Sequence, residues 1–376
     1  MIAVIPLSGT LAARTTRKKG PPVSNVETSA ESTVLVERHP HMMTLVLNRP
    51  RVLNSLNIEM IRALDRALDE VEREERFQFV LLSGAGEKGF CAGGDIRALA
   101  EAVRGGWSAR ALESLAAEYA LCLRLHRFPK AVVVLADGIT MGAGLGLAAA
   151  ADIAIATERT RMAMPETRIG FFVDVGATGW MHARCLKGYP EYLALTGYEV
   201  AGAEAVRIGF PTHLARSTEL PEVRRILESW SVELPRERQT AARQLATALD
   251  LLFDKVVPSK NDVDTWVADY FSGKTSMVSL MEDLRQCSIF SDLCDGVFQR
   301  LSERSPTSVV LTLQLLRHNE GRRLEEVFEA DLNAARFIFN HPDFVEGVRA
   351  RLIDKDDKPR WQPPTIEEVG RLGLKF

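Results

Sequence analysis

The sequence predicts an α/β protein in which strands and helices alternate over roughly the first 215 residues and helices dominate afterwards. Three observations favour this fold class. A strand–strand–helix pattern occurs more than once before residue 160. The apolar run at 131–136 (AVVVLA) leads through a turn to a glycine-rich bend, which opens an alanine-rich helix. From Pro221 onward the strand signals fade and apolar residues recur at helical spacing.

The composition is that of a soluble globular protein. Of the 376 residues, 46% are hydrophobic and 26% are charged. A net charge of −3, with 7% aromatic residues, gives no electrostatic basis for binding nucleic acid. No apolar run reaches the ~20 residues that a membrane span needs. We therefore expect neither nucleic acid nor a membrane as a partner.

The five cysteines indicate a reducing compartment. Their number is odd and no C-x-x-C pair occurs, which argues against a zinc site and against a disulfide framework. We therefore expect no metal.

Residues 1–32 are predicted to be a disordered extension or a targeting segment. They contain Gly20-Pro21-Pro22, followed by serine and threonine mixed with charge. The first 26 residues hold no acid and four basic residues, which is compatible with a transit peptide. A disordered bacterial extension or a misplaced start codon explains the same features.

The N-terminal elements follow from alternation and spacing. Residues 33–37 and 43–47 are predicted to be two strands of a hairpin. Asn57 is predicted to cap a helix, because apolar residues then recur at helical spacing. Residues 77–82 form the next predicted strand, and residues 108–127 a long amphipathic helix.

A change of composition near residue 215 separates a core, residues 33–215, from a helical C-terminal region, residues 216–376. Capping residues and apolar spacing predict the helices that follow the glycine-rich segment. These helices lie at 190–195, 202–208, 222–230, 263–271, 275–286 and 308–317.

Two bends of small residues are the first candidate for a functional site. Gly142, Gly144 and Gly146 do not match the G-x-G-x-x-G spacing of dinucleotide sites, and no phosphate-loop lysine follows. Close packing of a helix on a strand is the alternative explanation, but it does not account for a second bend of small residues. A second bend at 92–94 also precedes a helix, so together the bends can place two backbone N–H groups around one oxygen. Plain turns remain the alternative.

Three acids are candidates for the chemistry, and each also has an ordinary structural explanation. Glu166 follows a proline and can be an exposed loop residue. Asp174 can cap the helix that follows it. Glu118, on the amphipathic helix, can be a solvated acid. Free N–H donors beside paired acids nevertheless suit a reaction that develops negative charge on a carbonyl oxygen.

Several motifs resemble those of the crotonase (enoyl-CoA hydratase/isomerase) superfamily. They lie at residues 48–56 (NRPRVLNSL), 90–95 (FCAGGD) and 138–144 (GITMGAG). Further segments are similar to the 3-hydroxyisobutyryl-CoA hydrolase family within that superfamily. These are AMPETRIG (163–170), DVG (174–176), ALTG (194–197), SPTS (305–308) and EGVRARLIDKD (346–356). The likeness spans residues 33–362.

The resemblance implies a crotonase-like spiral of ββα units with a helical C-terminal region, and an acyl-CoA thioester as substrate. The oxyanion-hole donors would be the backbone N–H groups of Ala92, within a residue or so, and Ala143. The substrate-binding positions fall on Glu118, Ala143, Glu166 and Asp174, of which Glu166 and Asp174 would be catalytic. Glu166 would act either as a general base or as a nucleophile.

The same resemblance implies hydrolysis of 3-hydroxyisobutyryl-CoA in valine degradation, with no cofactor beyond the CoA of the substrate. The location would be soluble and intracellular: cytoplasmic in a bacterium and the mitochondrial matrix in a eukaryote. The oligomeric state stays open, a homo-oligomer included. An enoyl-CoA hydratase or isomerase and a non-catalytic acyl-CoA-binding protein are the alternative functions.

One position separates these functions chemically. The first of two glutamates in the hydratases of this superfamily falls at Gly146, which has no side chain, and Asp174 supplies a replacement acid. The chain also departs from the hydrolase pattern. Val173 replaces a proline, Ala143 replaces a glycine, and residues 177–180 differ from the usual glycines and aromatic residue.

Overall fold

A computed structural model describes residues 25–27, 32–255, 257–287 and 289–372. Most of the predicted N-terminal extension, residues 1–32, lies outside the described residues. The described strands are β1 (Asn25–Glu27), β2 (Val34–Arg38), β3 (Met42–Leu47), β4 (Phe79–Gly84), β5 (Gly89–Cys91), β6 (Ala131–Ala136), β7 (Ile139–Met141), β8 (Ile153–Ala156), β9 (Arg161–Ala163), β10 (Val200–Ala201), β11 (His213–Ala215) and β12 (Phe253–Asp254).

The described helices are spread over the whole folded chain. They are α1 (Ile58–Arg73), α2 (Ile96–Arg104), α3 (Ser108–His126), α4 (Ala143–Ala149), α5 (Ala177–Arg184), α6 (Tyr189–Thr196), α7 (Gly202–Ile208), α8 (Leu220–Glu228), α9 (Arg238–Leu249), α10 (Asn261–Phe271), α11 (Met277–Arg285), α12 (Ser291–Ser302), α13 (Pro306–Asn319), α14 (Leu324–Ile338), α15 (Pro342–Val348) and α16 (Ile366–Leu372).

The larger sheet has the strand order β1-β2-β3-β4-β6-β8-β11-β12. Its strands from β3 to β11 are parallel, and the pairs at its two ends are antiparallel. Every residue of β6 is buried, because helices cover both faces of a parallel sheet. This explains the unbroken apolar run at 131–136, and the predicted hairpin of β2 and β3 is confirmed.

The smaller sheet has the order β10-β9-β7-β5, with β5, β7 and β9 parallel. The strands from β4 to β9 form three consecutive pairs. In each pair (β4 with β5, β6 with β7, β8 with β9), the first strand lies in the larger sheet and the second in the smaller sheet. A helix follows β5 and β7, and a short 3₁₀ helix, Glu166–Ile169, follows β9. This repeated unit confirms the predicted crotonase-like spiral of ββα units.

Helices from both halves of the chain share the apolar core. The helix α1 begins after Asn57, whose side chain accepts a hydrogen bond from the N–H of Met60, as the sequence predicts. Trp266 and Phe344 from the C-terminal half pack in the same cluster as α1. The helices α8 and α9 instead cover the other face of the larger sheet. The short strand β12 lies beyond residue 215, so the strands do not end at that point.

None of the helices in the described ranges has the length and apolar character to cross a lipid bilayer.

Candidate active site

Three segments of the candidate site converge because they follow three neighbouring parallel strands. β5 ends at Cys91, β7 at Met141 and β9 at Ala163. The carboxyl ends of adjacent parallel strands lie at the same edge of a sheet. The two bends of small residues and Glu166 are thereby brought together at one edge of the smaller sheet.

The two bends touch each other. A Cβ atom added to Gly93 would lie 3.5 Å from the backbone nitrogen of Ala143 and 3.2 Å from the carbonyl oxygen of Met141. A Cβ at Gly144 would collide with the carbonyl oxygen of Cys91. Gly93 and Gly142 also have φ values of +107° and +50°, which side chains disfavour. Close approach of two backbones therefore explains the small residues.

On the first bend, the N–H of Ala92 itself is already used, although the prediction extended to a neighbouring residue. The N–H of Ala92 donates to the carbonyl oxygen of Leu53 at 2.9 Å, so it is not available to a ligand. This bond forms because the chain after β5 pairs with residues 53–56, as the bridge between Leu56 and Gly94 also shows. Within the described ranges, the N–H groups of Gly93 and Gly94 donate to no protein acceptor.

The donor on the second bend is available. Ala143 is the first residue of α4, and the first bond of the helix runs from the N–H of Gly146 to the carbonyl oxygen of Gly142. The N–H groups of Ala143 and Gly144 therefore have no partner within the helix. Ala143 is 3% exposed, so a ligand at its N–H would be shielded from water.

Glu166 reaches the second bend. Its Oε1 atom lies 3.0 Å from the position that a Cβ of Gly142 would occupy, beside the start of α4. Its Oε2 atom is buried and makes no hydrogen bond in the described part of the chain. Burial raises the pKa of Glu166 well above its usual value, and the charge of Asp174 adds to this effect. Glu166 is thus not the exposed loop residue of the structural alternative.

Asp174 is held by a tyrosine rather than by a helix. The hydroxyl of Tyr119 donates to its Oδ2 atom at 2.7 Å. Burial raises the pKa of Asp174 to about 7, and the hydrogen bond from Tyr119 opposes the rise. The N-cap of α5 is Gly176, without a side-chain cap. The interpretation of Asp174 as a helix cap is therefore wrong.

Glu118, on α3, is the third buried acid of this site, beside Glu166 and Asp174. It is 5% exposed, and its Oε2 atom lies 2.7 Å from the position that a Cβ of Gly94 would occupy. Burial, and then the charge of Asp174, raise the pKa of Glu118 well above its usual value. The interpretation of Glu118 as a solvated acid is wrong, because its side of α3 faces the first bend.

A cavity of about 510 Å³ extends to Glu118 between the start of α1 and the helices α2 and α3. Asn57 and Asp95 supply polar groups to its wall, and Leu99 and Leu115 supply apolar surface. Trp107, 66% exposed, also lines it. The volume suits a small organic ligand or part of a larger one.

Among the described residues, one group of side chains could hold a metal ion, and it does not include Glu118, Glu166 or Asp174. Glu37, His39 and Glu228 lie close enough to share an ion, and all three are partly exposed. None of them lines the cavity beside Glu118.

Residues 42–372 match the family model described as enoyl-CoA hydratase/isomerase, and the chain belongs to this family. The protein of Gallus gallus named 3-hydroxyisobutyryl-CoA hydrolase, mitochondrial, is 34% identical over 342 residues, which cover 91% of this chain and 87% of the relative. The proteins of the same name from Mus musculus and Homo sapiens are 36% and 33% identical over 345 and 347 residues, covering 89% and 91% of this chain and 86% and 87% of theirs.

Two solved structures of similar fold carry different names. A carnitinyl-CoA dehydratase from Mycobacterium thermoresistibile matches with a TM-score of 0.78 and 30% identity. An enoyl-CoA hydratase from Rhodobacter sphaeroides matches with a TM-score of 0.79 and 28% identity. Each match covers 90% of this chain and 94% of the other chain. The fold is thus shared by proteins with different named reactions.

The space around Gly146 is already filled. A Cβ added to Gly146 would lie 3.0 Å from both Cβ and Cγ2 of Val175. A Cβ contact of this length is tighter than most real ones, so Val175 would have to move by a few tenths of an ångström to admit even a methyl group. A larger side chain at residue 146, such as a glutamate, would therefore crowd Val175 in the loop that follows Asp174.

Sequence reasoning missed two residues of this site. Tyr119 lies on the amphipathic helix predicted at 108–127, where an aromatic residue at apolar spacing indicates core packing, and nothing in the sequence marks the hydroxyl that reaches Asp174. Sequence reasoning also left Asp331 unmentioned, although Asp331 is fully buried and its charge interacts with that of Asp174. Neither residue has a local sequence signal for this role, because the contacts join segments far apart in the chain.

Proposed function

We propose that this protein hydrolyses a short-chain acyl-CoA thioester, and that the substrate is 3-hydroxyisobutyryl-CoA, an intermediate of valine degradation. One observation carries the proposal. Buried Glu166 stands beside the start of α4, where the N–H of Ala143 has no partner within the helix, and it interacts with buried Asp174, while Val175 crowds the space at Gly146 that a second hydratase glutamate would need. The relatives named 3-hydroxyisobutyryl-CoA hydrolase support the choice of substrate.

The thioester carbonyl oxygen would bind at the contact between the two bends. The N–H of Ala143 is one donor, and the N–H of Gly93 or Gly94 is the other. Both donors are fixed by the fold, so they need no reorganisation when negative charge develops on the oxygen. Burial strengthens each hydrogen bond, because the local dielectric constant is low.

Glu166 supplies the oxygen nucleophile in one of two ways. As a general base it removes a proton from water, whose oxygen adds to the carbonyl carbon. As a nucleophile it attacks that carbon itself and forms an anhydride, which water then hydrolyses. In both cases the C–S bond breaks, and the products are a carboxylic acid and CoA. No co-reactant other than water is consumed.

Asp174 would transfer the proton that the departing CoA sulfur needs. Two buried carboxyl groups that repel each other retain a proton at a pH where isolated acids have lost theirs. Above that pH the ionised Asp174 can take the proton that leaves the attacking water and pass it to the sulfur of the departing CoA. Asp174 and Glu118 would also accept a hydrogen bond from the 3-hydroxyl of the acyl group, which would favour hydroxylated substrates over plain acyl chains.

A hydratase or isomerase is the second candidate, because the solved structures of similar fold carry such names. Addition of water to a double bond in that mechanism uses two glutamates, of which Glu166 is present and the other falls at Gly146. A non-catalytic acyl-CoA-binding protein is the third candidate. Its acids would have no reason to remain buried at a cost in stability.

The experiment is release of free thiol from a panel of acyl-CoA esters, run beside hydration of crotonyl-CoA. We expect rapid CoA release from 3-hydroxyisobutyryl-CoA and negligible hydration. Rapid hydration without thiol release would replace the proposal with the hydratase alternative. Tight binding of acyl-CoA with neither reaction would leave the binding protein.

We further propose an intracellular location in a reducing compartment. The five cysteines are free thiols, two of them at intermediate exposure. The relatives from vertebrates are named mitochondrial, which supports the mitochondrial matrix if this chain is eukaryotic.

A further inference from the structure

The loop between Asp174 and α5 is strained. Val175 has a φ of +50°, is completely buried and carries a β-branched side chain. A bulky residue in this left-handed region persists only where the surrounding structure enforces it. Gly176 follows with a φ of +74°, which glycine tolerates. The indole N–H of Trp180 donates to the carbonyl oxygen of Val175 at 3.2 Å, which is one of the contacts that fix the loop.

A second contact comes from the C-terminal half of the chain. Asp331, on α14, accepts a hydrogen bond on Oδ2 from the N–H of Gly176 at 2.8 Å. Asp331 is 0% exposed, and its Oδ1 has no hydrogen-bond partner in the described ranges. Without Asp331, the N–H of Gly176 would be buried and unpaired, which is costly.

The helix α14 also supports the other side of Asp174. Phe328, one turn before Asp331, packs against the ring of Tyr119 with centroids 5.8 Å apart. The same Phe328 ring lies 3.0 Å from the position that a Cβ of Gly176 would occupy. The helix thus contacts both the loop that carries Asp174 and the tyrosine that donates to it.

We propose that Asp331 is a positioning residue, which holds the strained Val175–Gly176 loop so that Asp174 stays on the Tyr119 hydroxyl and beside Glu166. This inference rests on the proposed function for its kinetic consequences. Asp331 does not touch the substrate and takes no proton in the reaction.

An acid is a costly choice at this position unless the site uses it. Burial, and then the charge of Asp174, raise the pKa of Asp331 well above its usual value, while the Gly176 N–H opposes the rise. A neutral Asp331 keeps its acceptor oxygens without repelling Asp174. The ionisable groups that interact with Asp174 are Glu118, Tyr119 and Cys122 of α3, Glu166, and Asp331 of α14.

The test compares Asp331→Asn with Asp331→Ala. The amide keeps an acceptor for Gly176, so we expect thiol release within a few-fold of the unchanged protein. Alanine removes the acceptor, and the misplaced Asp174 should lower kcat on the order of 10²-fold. KM should change little, and the acid limb of the pH profile should move because Asp174 leaves Tyr119. Retention of kcat and of the acid limb in the alanine variant would overturn the proposal.

The same Asp331→Ala substitution, made in a Val175→Gly protein, tests the strain of the loop directly. Glycine tolerates a φ of +50°, so Val175→Gly should make the loop less dependent on its anchor. We expect the fall in kcat on Asp331→Ala to be smaller in the Val175→Gly protein than in the Val175 protein. An equal fall in both backgrounds would contradict the proposal. So would an alanine variant that fails to fold in both backgrounds, because Asp331 would then serve folding alone.

Glu191→Ala is the matched control. Glu191 is another buried acid that accepts from a glycine N–H, that of Gly273, and it pairs with Arg317 rather than with the Val175–Gly176 loop. Its loss should lower the melting temperature without moving the acid limb. Crystal structures of both Asp331 variants give a readout independent of turnover. The Tyr119–Asp174 contact should persist with asparagine and break with alanine, even if the unchanged protein hydrolyses no thioester.

Discussion

The hydroxyl of Tyr119 lies 2.7 Å from Oδ2 of Asp174, and both residues are buried. This bond opposes the effect of burial, which raises the pKa of Asp174 to about 7. The pKa of Asp174 therefore lies near neutral pH, and the Tyr119 hydroxyl holds it below the value that burial alone would give.

Tyr119→Phe should move the acid limb of kcat/KM to higher pH. The phenylalanine keeps the ring that packs on Phe328 but removes the donor to the ionised carboxylate. A hydrogen bond to a charged group contributes about 1.5–3 kcal/mol, which corresponds to a shift of roughly 1–2 pH units. The pH profile of thiol release measures it. Tyr192→Phe, also at a buried position, is the control, and an unmoved limb in Tyr119→Phe would separate Tyr119 from the titration of Asp174.

Asp174→Asn should lower kcat by about 10²–10⁴-fold, the range of general acid–base contributions. No helix cap is lost, because Gly176 rather than Asp174 occupies the N-cap of α5. Glu166→Gln should behave similarly, and the double variant should be little worse than either single one, since groups that act as a unit are not additive. Steady-state kinetics test this, and a fully active Asp174→Asn protein would remove the main reason for preferring a hydrolase.

The same substitution should change how stability depends on pH. The pKa of Asp174 is raised in the folded protein from its usual 3.8 to about 7. Its favourable contribution is therefore complete below the unfolded value and is lost as the pH rises through about 7. Asparagine carries no such penalty. The melting temperature of Asp174→Asn relative to the unchanged protein should rise between about pH 5 and about pH 8, and a difference that is flat or falls with pH would contradict the burial of an ionisable Asp174.

Ala143 should matter only through its backbone. Ala143→Gly retains the N–H, so turnover should stay within a few-fold. Ala143→Pro removes it, and the loss of one oxyanion donor typically costs about 10²–10³ in rate. Circular dichroism and the melting temperature check that the proline variant is folded. A folded and fully active Ala143→Pro protein would take this N–H out of the mechanism.

Gly146→Ala should destabilise the protein without creating a hydratase. The new methyl group would stand 3.0 Å from Val175, and such overpacking costs about 1–3 kcal/mol. Urea unfolding measures the loss. Adding Val175→Ala makes room and should recover part of it. If Gly146→Ala is as stable as the unchanged protein, the space at residue 146 is open and the steric argument against a second glutamate does not hold.

The fold was predictable where one segment carries its own pattern. The apolar run 131–136 marks a strand buried on both faces, and Asn57 marks a helix start by its side-chain chemistry. The bends at 92–94 and 142–146 were recognisable as small residues before helices. Their meeting depends on three parallel strands whose order in the sheet is not written in any one segment.

The site was predictable only in part, for the same reason. Small residues locate a bend, but the pairing of residues 53–56 decides that the N–H of Ala92 is occupied. Tyr119, at an apolar position of a helix, is expected to be a core residue, and only the structure shows that its hydroxyl donates to Asp174. Asp331 is separated from Gly176 by 155 positions, so no local pattern connects them.

The separation of Asp331 from Asp174 in the sequence also affects the order in which the chain folds. During synthesis, Asp174 leaves the ribosome 157 residues before Asp331, since 331 − 174 = 157. A nascent chain that has completed every strand up to β11 still has a loop without its anchor. Contacts between distant positions form late and slowly. Competence for catalysis should therefore be the last property that a growing or refolding chain acquires, after its secondary structure and much of its sheet are in place.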